Sequence, residues 1–228
     1  MVSRRFAVGR RCSMDTFPPF SRLRWSPVRR RRGCVPAHDP LRRPAGRVEP
    51  QLDYLAMTSN WTVPGEAVSP VRHPEAPAPG ESIPAHWHGC FGCRGTGDGG
   101  LGLDVRAGEG AEVTGEIVVD PAFEGGPGVI HGGVLSSVFD EVMGFSAKLL
   151  ALEVVTAHLE VDFRSPVPVR SALTVRARVD GVLGRKLYAS AEVYVNGAAA
   201  PAGSARALFI TIDQAVHFRD LVGNSTRI

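Results

Sequence analysis

Residues 125–144 read GGPGVIHGGVLSSVFDEVMG, which places His131, Gly132 and Gly133 at the start of a helical pattern and Asp140 nine residues after the histidine. The first turn of a helix leaves backbone N–H groups without partners, and the helix dipole adds positive potential there, so this end can hold a developing negative charge. Glycine at 132 and 133 lets a carbonyl oxygen approach closely. His131, immediately before the turn, can orient or polarise that carbonyl. Asp140 is a carboxylate able to activate water or attack directly. Together these parts suit acyl transfer to water, with amide donors to hold the oxyanion.

The helix that carries them is expected to run from Gly132 to about Leu152. Spacing the residues at about 100° puts Val134, Leu135, Val138, Val142, Phe145, Leu149 and Leu152 on one side, a stripe that a sheet would bury. Asp140 falls on the other side with Gly133, Ser136, Gly144 and Ala147, and Ser137 and Met143 lie at the edges. A solvated face would carry long charged side chains, and only Glu141 and Lys148 lie near its margin. Each helical glycine costs about 1 kcal/mol relative to alanine. A face this small is expected to admit a second chain or a ligand.

Strands supply the sheet. Val113, Gly115, Ile117 and Val119 alternate with Glu112, Thr114 and Glu116, and Ala157, Leu159, Val161 and Phe163 alternate with His158, Glu160 and Asp162. Leu173, Val175, Ala177 and Val179 share a face, as do Leu187, Ala189, Ala191, Val193 and Val195, and then Leu208, Ile210 and Ile212. This period of two marks antiparallel strands with one buried face. Turns are expected at Pro166 and Pro168, at Asp180-Gly181 with Gly184, and at Asn196-Gly197. Strands flanking one long helix make an α+β fold in which the helix covers the apolar face of the sheet.

The chain has 228 residues, 43% hydrophobic and 21% charged, enough for one ordinary domain with an appendage. Its net charge of +3 hides an asymmetry. Residues 1–50 hold 13 arginines against Asp15, Asp39 and Glu49, while the rest carries 13 basic against 20 acidic side chains. From residue 1 to about 83, prolines interrupt every pattern, and the segment is expected to be disordered. Its arginines fit a nucleic-acid or membrane-surface tail, a transit-like peptide, or translated sequence ahead of a later start such as Met57. The opening SRRFAVGR lacks the apolar stretch of an export signal, and no apolar run approaches the roughly 18 residues of a membrane span. Cys12, Cys34, Cys90 and Cys93 are too few and scattered for a disulfide framework, so a cytoplasmic location is expected. His86, His88, Cys90 and Cys93 are residue types that bind zinc, but a single cramped CxxC is a weak signal. Packing or a lid over substrate is expected of that segment, and no metal.

HGGVLSSVFDEVMG, preceded by GGPGVI and followed by FRSPVPV and the hairpin GRKLYASAEVYV, resembles the PaaI-like branch of the hotdog-fold acyl-CoA thioesterases. HWHGCFGCRG resembles the FGCG-type segment ahead of their first strand, and the likeness covers about residues 86–213. The resemblance implies a hotdog domain at 84–214 followed by a short tail at 215–228, with a curved antiparallel sheet wrapped around one long helix. It also implies two subunits sharing one continuous sheet, as a homodimer or within a tetramer, and active sites at their interface. Asp140 would be the base or nucleophile, the Gly132 N–H the oxyanion donor, and His131 would stand alongside. Thr156 would help from the partner subunit, because its parity with His158 and Glu160 turns it away from its own helix. Some relatives have Asn or Gln where this chain has Gly125. Arg164, Arg185 and Lys186 are placed to meet coenzyme A phosphates, coenzyme A entering as part of the substrate and no separate cofactor being needed.

The expected activity is hydrolysis of an acyl-CoA to free acid and coenzyme A, within fatty acid metabolism. The alternative is a non-catalytic acyl-CoA sensor, as in hotdog transcription regulators, although the proline spacing of residues 1–83 scarcely permits the two helices of a DNA-reading motif. A hotdog dehydratase would use a histidine and a carboxylate in a different arrangement, and the HGG helix start speaks against it.

Overall fold

The computed structural model describes residues 62–219. The elements run β1 (Asp104–Ala107), β2 (Glu112–Val118), β3 (Glu124–Gly126), β4 (Val129–Ile130), α1 (Gly132–Ser146), β5 (Val154–Phe163), β6 (Ala172–Leu183), β7 (Lys186–Val195), β8 (Gly203–Thr211) and the single turn α2 (Gln214–His217). Six strands form one antiparallel sheet in the order β1-β2-β6-β7-β8-β5, and β3 and β4 make a small separate hairpin just before the helix. This is the α+β arrangement expected, a sheet wrapped around one long helix.

The alternation works as expected in three strands. Val113 and Ile117 of β2, Leu173, Val175, Ala177 and Val179 of β6, and Leu187, Ala189, Ala191 and Val193 of β7 are buried. Between Val113 and Ile117, a Cβ at Gly115 would stand 2.5 Å from Val142 Cγ2, so the helix rests directly on the strand backbone there. β8 reverses the expectation. Ala205, Ala207 and Phe209 are the buried set, while Leu208 and Ile210 are only partly covered on the other face. The two alanines leave room for the helix, a steric preference that outweighs the greater hydrophobicity of Leu208 and Ile210.

The sheet encloses more of α1 than one stripe. Leu135, Val138, Phe139, Val142, Met143, Phe145, Ala147 and Leu149 are all buried, whereas Val134 and Leu152 are only partly so. Burying each large side chain of that set contributes about 1.5–3 kcal/mol. Gly144, expected on an open small-residue face, lies against Phe209 of its own sheet, with a would-be Cβ 3.9 Å from the ring. The helix continues as a 3-10 turn through Ala147–Leu150 and stops at Ala151, whose φ of 54° breaks the spiral. Asn196 and Gly197 turn as expected, with φ of 50° and 71°. Asp180-Gly181 is not a turn. It sits inside β6 at a bulge, where Val179 pairs with Ala189 and Gly181 with Tyr188, and the hairpin turns later at Gly184.

The structured part begins earlier than residue 84. Val68 bridges to Val182, the His73 N–H donates to the Leu149 carbonyl, and Ile83, buried, pairs with Val105. Arg72 donates to the carbonyls of Gly108, Gly110 and Pro77. Residues 62–83 are therefore fixed to the domain by backbone pairing and one arginine, interactions that leave no periodic signature among the prolines. The expected disorder of residues 1–61 and the end of the expected C-terminal tail lie outside the described residues. Among the described residues no helix is long and apolar enough to cross a membrane.

Candidate active site

His131 caps α1. Its Nδ1 accepts from the Gly133 N–H at 2.9 Å, and its own N–H donates to the Phe123 carbonyl at 2.7 Å. A capping histidine that accepts at Nδ1 keeps its proton, when neutral, on Nε2, which makes the exposed side of the ring a donor. Gly125 explains how the loop holds the ring. A Cβ there would lie 2.5 Å from His131 Cα and 2.9 Å from its Cδ2, so no side chain fits where some relatives have Asn or Gln.

The amides of the first turn are not equivalent. Gly133 donates to the His131 ring, and Val134 and Leu135 both donate to the His131 carbonyl. The Gly132 N–H has no partner among the described residues. It is exposed at the positive end of the helix, with the Phe163 ring 3.5 Å from where a Cβ would be. Geometry thus leaves open the donor that the sequence pattern assigned to an oxyanion.

Two turns along, Asp140 is half-buried, and Thr156 Oγ1 donates to its Oδ1 at 2.8 Å. Burial raises the carboxyl above its ordinary range, the Thr156 hydrogen bond pulls it back, and the charge of Glu141 raises it again. Oδ2 has no partner among the described residues, which leaves one oxygen for a proton or an acyl carbon.

Thr156 reaches Asp140 of its own chain, contrary to the expectation that its parity turns it away. Thr156 pairs with Phe209 and His158 with Leu208, so Ala157 has no partner on β8. This β-bulge inserts one residue and restarts the alternation. Thr156 consequently shares the helix-facing side with Leu159, Val161 and Phe163, and the hydroxyl needs no second subunit to meet the carboxylate.

The basic residues divide. Arg185 donates from Nε and Nη2 to the Thr211 carbonyl at 3.1 and 2.8 Å, which fastens the β6–β7 hairpin to the end of β8. Lys186 pairs with Ile210, next to the Thr156 end of the sheet. Arg164 follows the far end of β5, directly after Phe163, whose ring lies against Gly132, and donates to Ser204 at 3.0 Å.

A second cluster gathers on Glu141, the residue after Asp140. His86, Cys90 and Cys93 converge on Glu141, while His88 stacks on Trp87 at 4.8 Å. Burial and the Glu141 hydrogen bond push the Cys93 thiol up to about 12. Sequence reading grouped the two histidines and two cysteines but missed Glu141. Its position beside Asp140 on a helix was the available signal.

Residues 127–200 match the family model of the Thioesterase superfamily. Over 92 residues the chain is 33% identical to acyl-coenzyme A thioesterase THEM4 of Xenopus laevis, covering 40% of this chain and 41% of that one. It is 34% identical over 70 residues to acyl-coenzyme A thioesterase THEM5 of Mus musculus, covering 31% of this chain and 28% of that one. The chain thus spans about two fifths or less of the length of these relatives. Among solved structures, the E. coli PaaI protein from the phenylacetic acid degradation operon superposes with a TM-score of 0.47 at 20% identity, covering 50% of this chain and 81% of that one.

Proposed function

We propose that this domain is an acyl-CoA thioesterase of the PaaI-like kind, which hydrolyses the thioester to a carboxylic acid and coenzyme A at a site shared by two copies of the chain. The observation that carries the reading is the half-buried Asp140 carboxylate, tethered at Oδ1 by Thr156 and free at Oδ2. Asp140 takes a proton from water, the resulting hydroxide adds to the thioester carbonyl carbon, and the carbonyl electrons move onto oxygen. Collapse re-forms the carbonyl and breaks the C–S bond, and the proton returns to the coenzyme A thiolate. Direct attack by Asp140 through an acyl-enzyme anhydride would use the same free oxygen.

Helix geometry favours a second copy. Gly132 and Asp140 are eight residues apart on one helix, about 12 Å along its axis at 1.5 Å per residue. One thioester carbonyl cannot meet both. An antiparallel second helix brings the open Gly132 N–H and the His131 Nε2 donor of one chain to Asp140 of the other. The sheet supports the same pairing. The β1 edge is covered where Ser82 bridges to Arg106 and Ile83 donates to Val105, while β5 ends the sheet with one edge unpaired among the described residues. Pairing two β5 edges removes the exposed ladder and makes one continuous sheet. Lys186 near the Thr156 end, Arg185 in the same hairpin and Arg164 after Phe163 are the candidates for the coenzyme A phosphates.

The test is thiol release from short, medium, long and aromatic acyl-CoAs by the full chain. Asp140→Asn is expected to lower kcat by about 10²–10⁴ on every active substrate, the range for loss of a general base. Retention of activity within tenfold would remove Asp140 from the mechanism.

A further inference from the structure

The segment HWHGCFGCRG supplies His86, Cys90 and Cys93, and α1 supplies Glu141 directly after Asp140. One ligand-type atom from each lies within 4.8 Å of all the others. Cys93 Sγ is 3.3 Å from His86 Nδ1 and 3.2 Å from Glu141 Oε1, Cys90 Sγ is 3.7 Å from Glu141 Oε1, and His86 Nδ1 is 3.6 Å from Glu141 Oε1. Metal–ligand bonds of about 2.0–2.3 Å at tetrahedral angles require edges of about 3.3–3.8 Å. Four of the edges already fall in or near this range. We propose that His86, Cys90, Cys93 and Glu141 form a tetrahedral zinc site that staples the segment around residues 86–93 to helix α1 beside Asp140.

The local backbone is shaped for this cage. A Cβ at Gly92 would stand 2.2 Å from Glu141 Cδ, so glycine there lets the loop close over the carboxylate without displacing it. The Gly92 N–H points at Cys90 Sγ at 3.3 Å, the kind of backbone donation that steadies a metal-bound thiolate. The Phe145 ring meets the His86 ring edge-on with centroids 6.0 Å apart and fixes its plane. Two sulfurs, one imidazole nitrogen and one carboxylate oxygen are a donor set that selects zinc over magnesium or calcium. All four positions come from protein, so the site is closed and structural rather than catalytic. It stands whether or not a thioester is the substrate. The alternative is a metal-free cluster in which the two thiols simply donate to Glu141.

Cobalt(II) distinguishes the two. The full chain, stripped with chelator and kept reduced, is titrated with cobalt(II) and its absorption followed. The proposal expects one equivalent per chain to produce intense tetrahedral d–d bands together with sulfur-to-cobalt charge transfer, both erased by one equivalent of zinc. Cys90→Ser/Cys93→Ser should abolish the charge transfer, and Glu141→Gln should weaken cobalt binding at least tenfold. Chelator should lower the melting temperature of the wild type and leave that of the double variant unchanged. The absence of tetrahedral bands in the wild type would overturn the site, as would bands unaltered in the cysteine double variant. The wild-type titration decides even if a variant fails to fold.

Discussion

Replacing Thr156 by valine removes one hydroxyl while keeping the branching and nearly the volume of the side chain. The lost interaction is the 2.8 Å hydrogen bond to Asp140 Oδ1. A hydrogen bond to a charged group contributes about 1.5–3 kcal/mol. Two consequences oppose each other. The released carboxylate becomes more basic, yet only part of that gain returns as rate, because proton transfer is incomplete in the transition state. It also loses the tether that aims Oδ2, and misplacement of a reacting group by about 1 Å costs about 10² in rate. Orientation dominates, so kcat of Thr156→Val should fall about ten- to a hundredfold, equivalent to about 1.4–2.7 kcal/mol of barrier, with KM little changed. Thr156→Ser keeps the hydroxyl and should retain most of the activity. The assay is steady-state thiol release on the best acyl-CoA of the screen, with circular dichroism melts to confirm folding. A valine variant within twofold of wild type, or faster, would refute a positioning role for Thr156.

Three further outcomes follow from the packing. Deleting Ala157 removes the bulge and must turn either Thr156 away from Asp140 or Leu159 and Val161 away from the core they pack against; thiol release should vanish, or the protein should lose its cooperative melt. Gly115→Ala puts a methyl 2.5 Å from Val142 Cγ2 and should destabilise by about 1–3 kcal/mol. Adding Val142→Ala should recover part of that loss, which chemical denaturation of the single and double variants would measure as a coupling energy. Arg72→Ala strips the donor from three backbone carbonyls and should destabilise by about 1.5–3 kcal/mol. A fragment starting at residue 84 should melt below one starting at residue 62, and equal melting temperatures would show residues 62–83 to be dispensable.

Local pattern was enough for several elements of this protein. The glycine and histidine at the head of α1 announce a helix terminus because backbone donors are exposed there in any helix. Val113, Leu173, Val175 and Leu187 announce buried strand faces because a strand alternates with a fixed period of two. The candidate carboxylate could be singled out from its own helix, since its neighbours on that face are small.

What the sequence could not decide depends on the register between distant segments. Whether Thr156 meets Asp140 turns on one unpaired residue, Ala157, and a bulge is a property of two strands together, with no mark in either alone. The buried face of β8 turns on how closely the helix approaches Ala205 and Ala207, so steric fit overrides the hydrophobic ranking that favours Leu208 and Ile210. Glu141 joins His86, Cys90 and Cys93 across about 50 residues of chain only because the early loop folds back onto α1. Type and spacing determined which groups are able to do chemistry; the tertiary structure determined which of them touch, because contact between remote residues is fixed by packing.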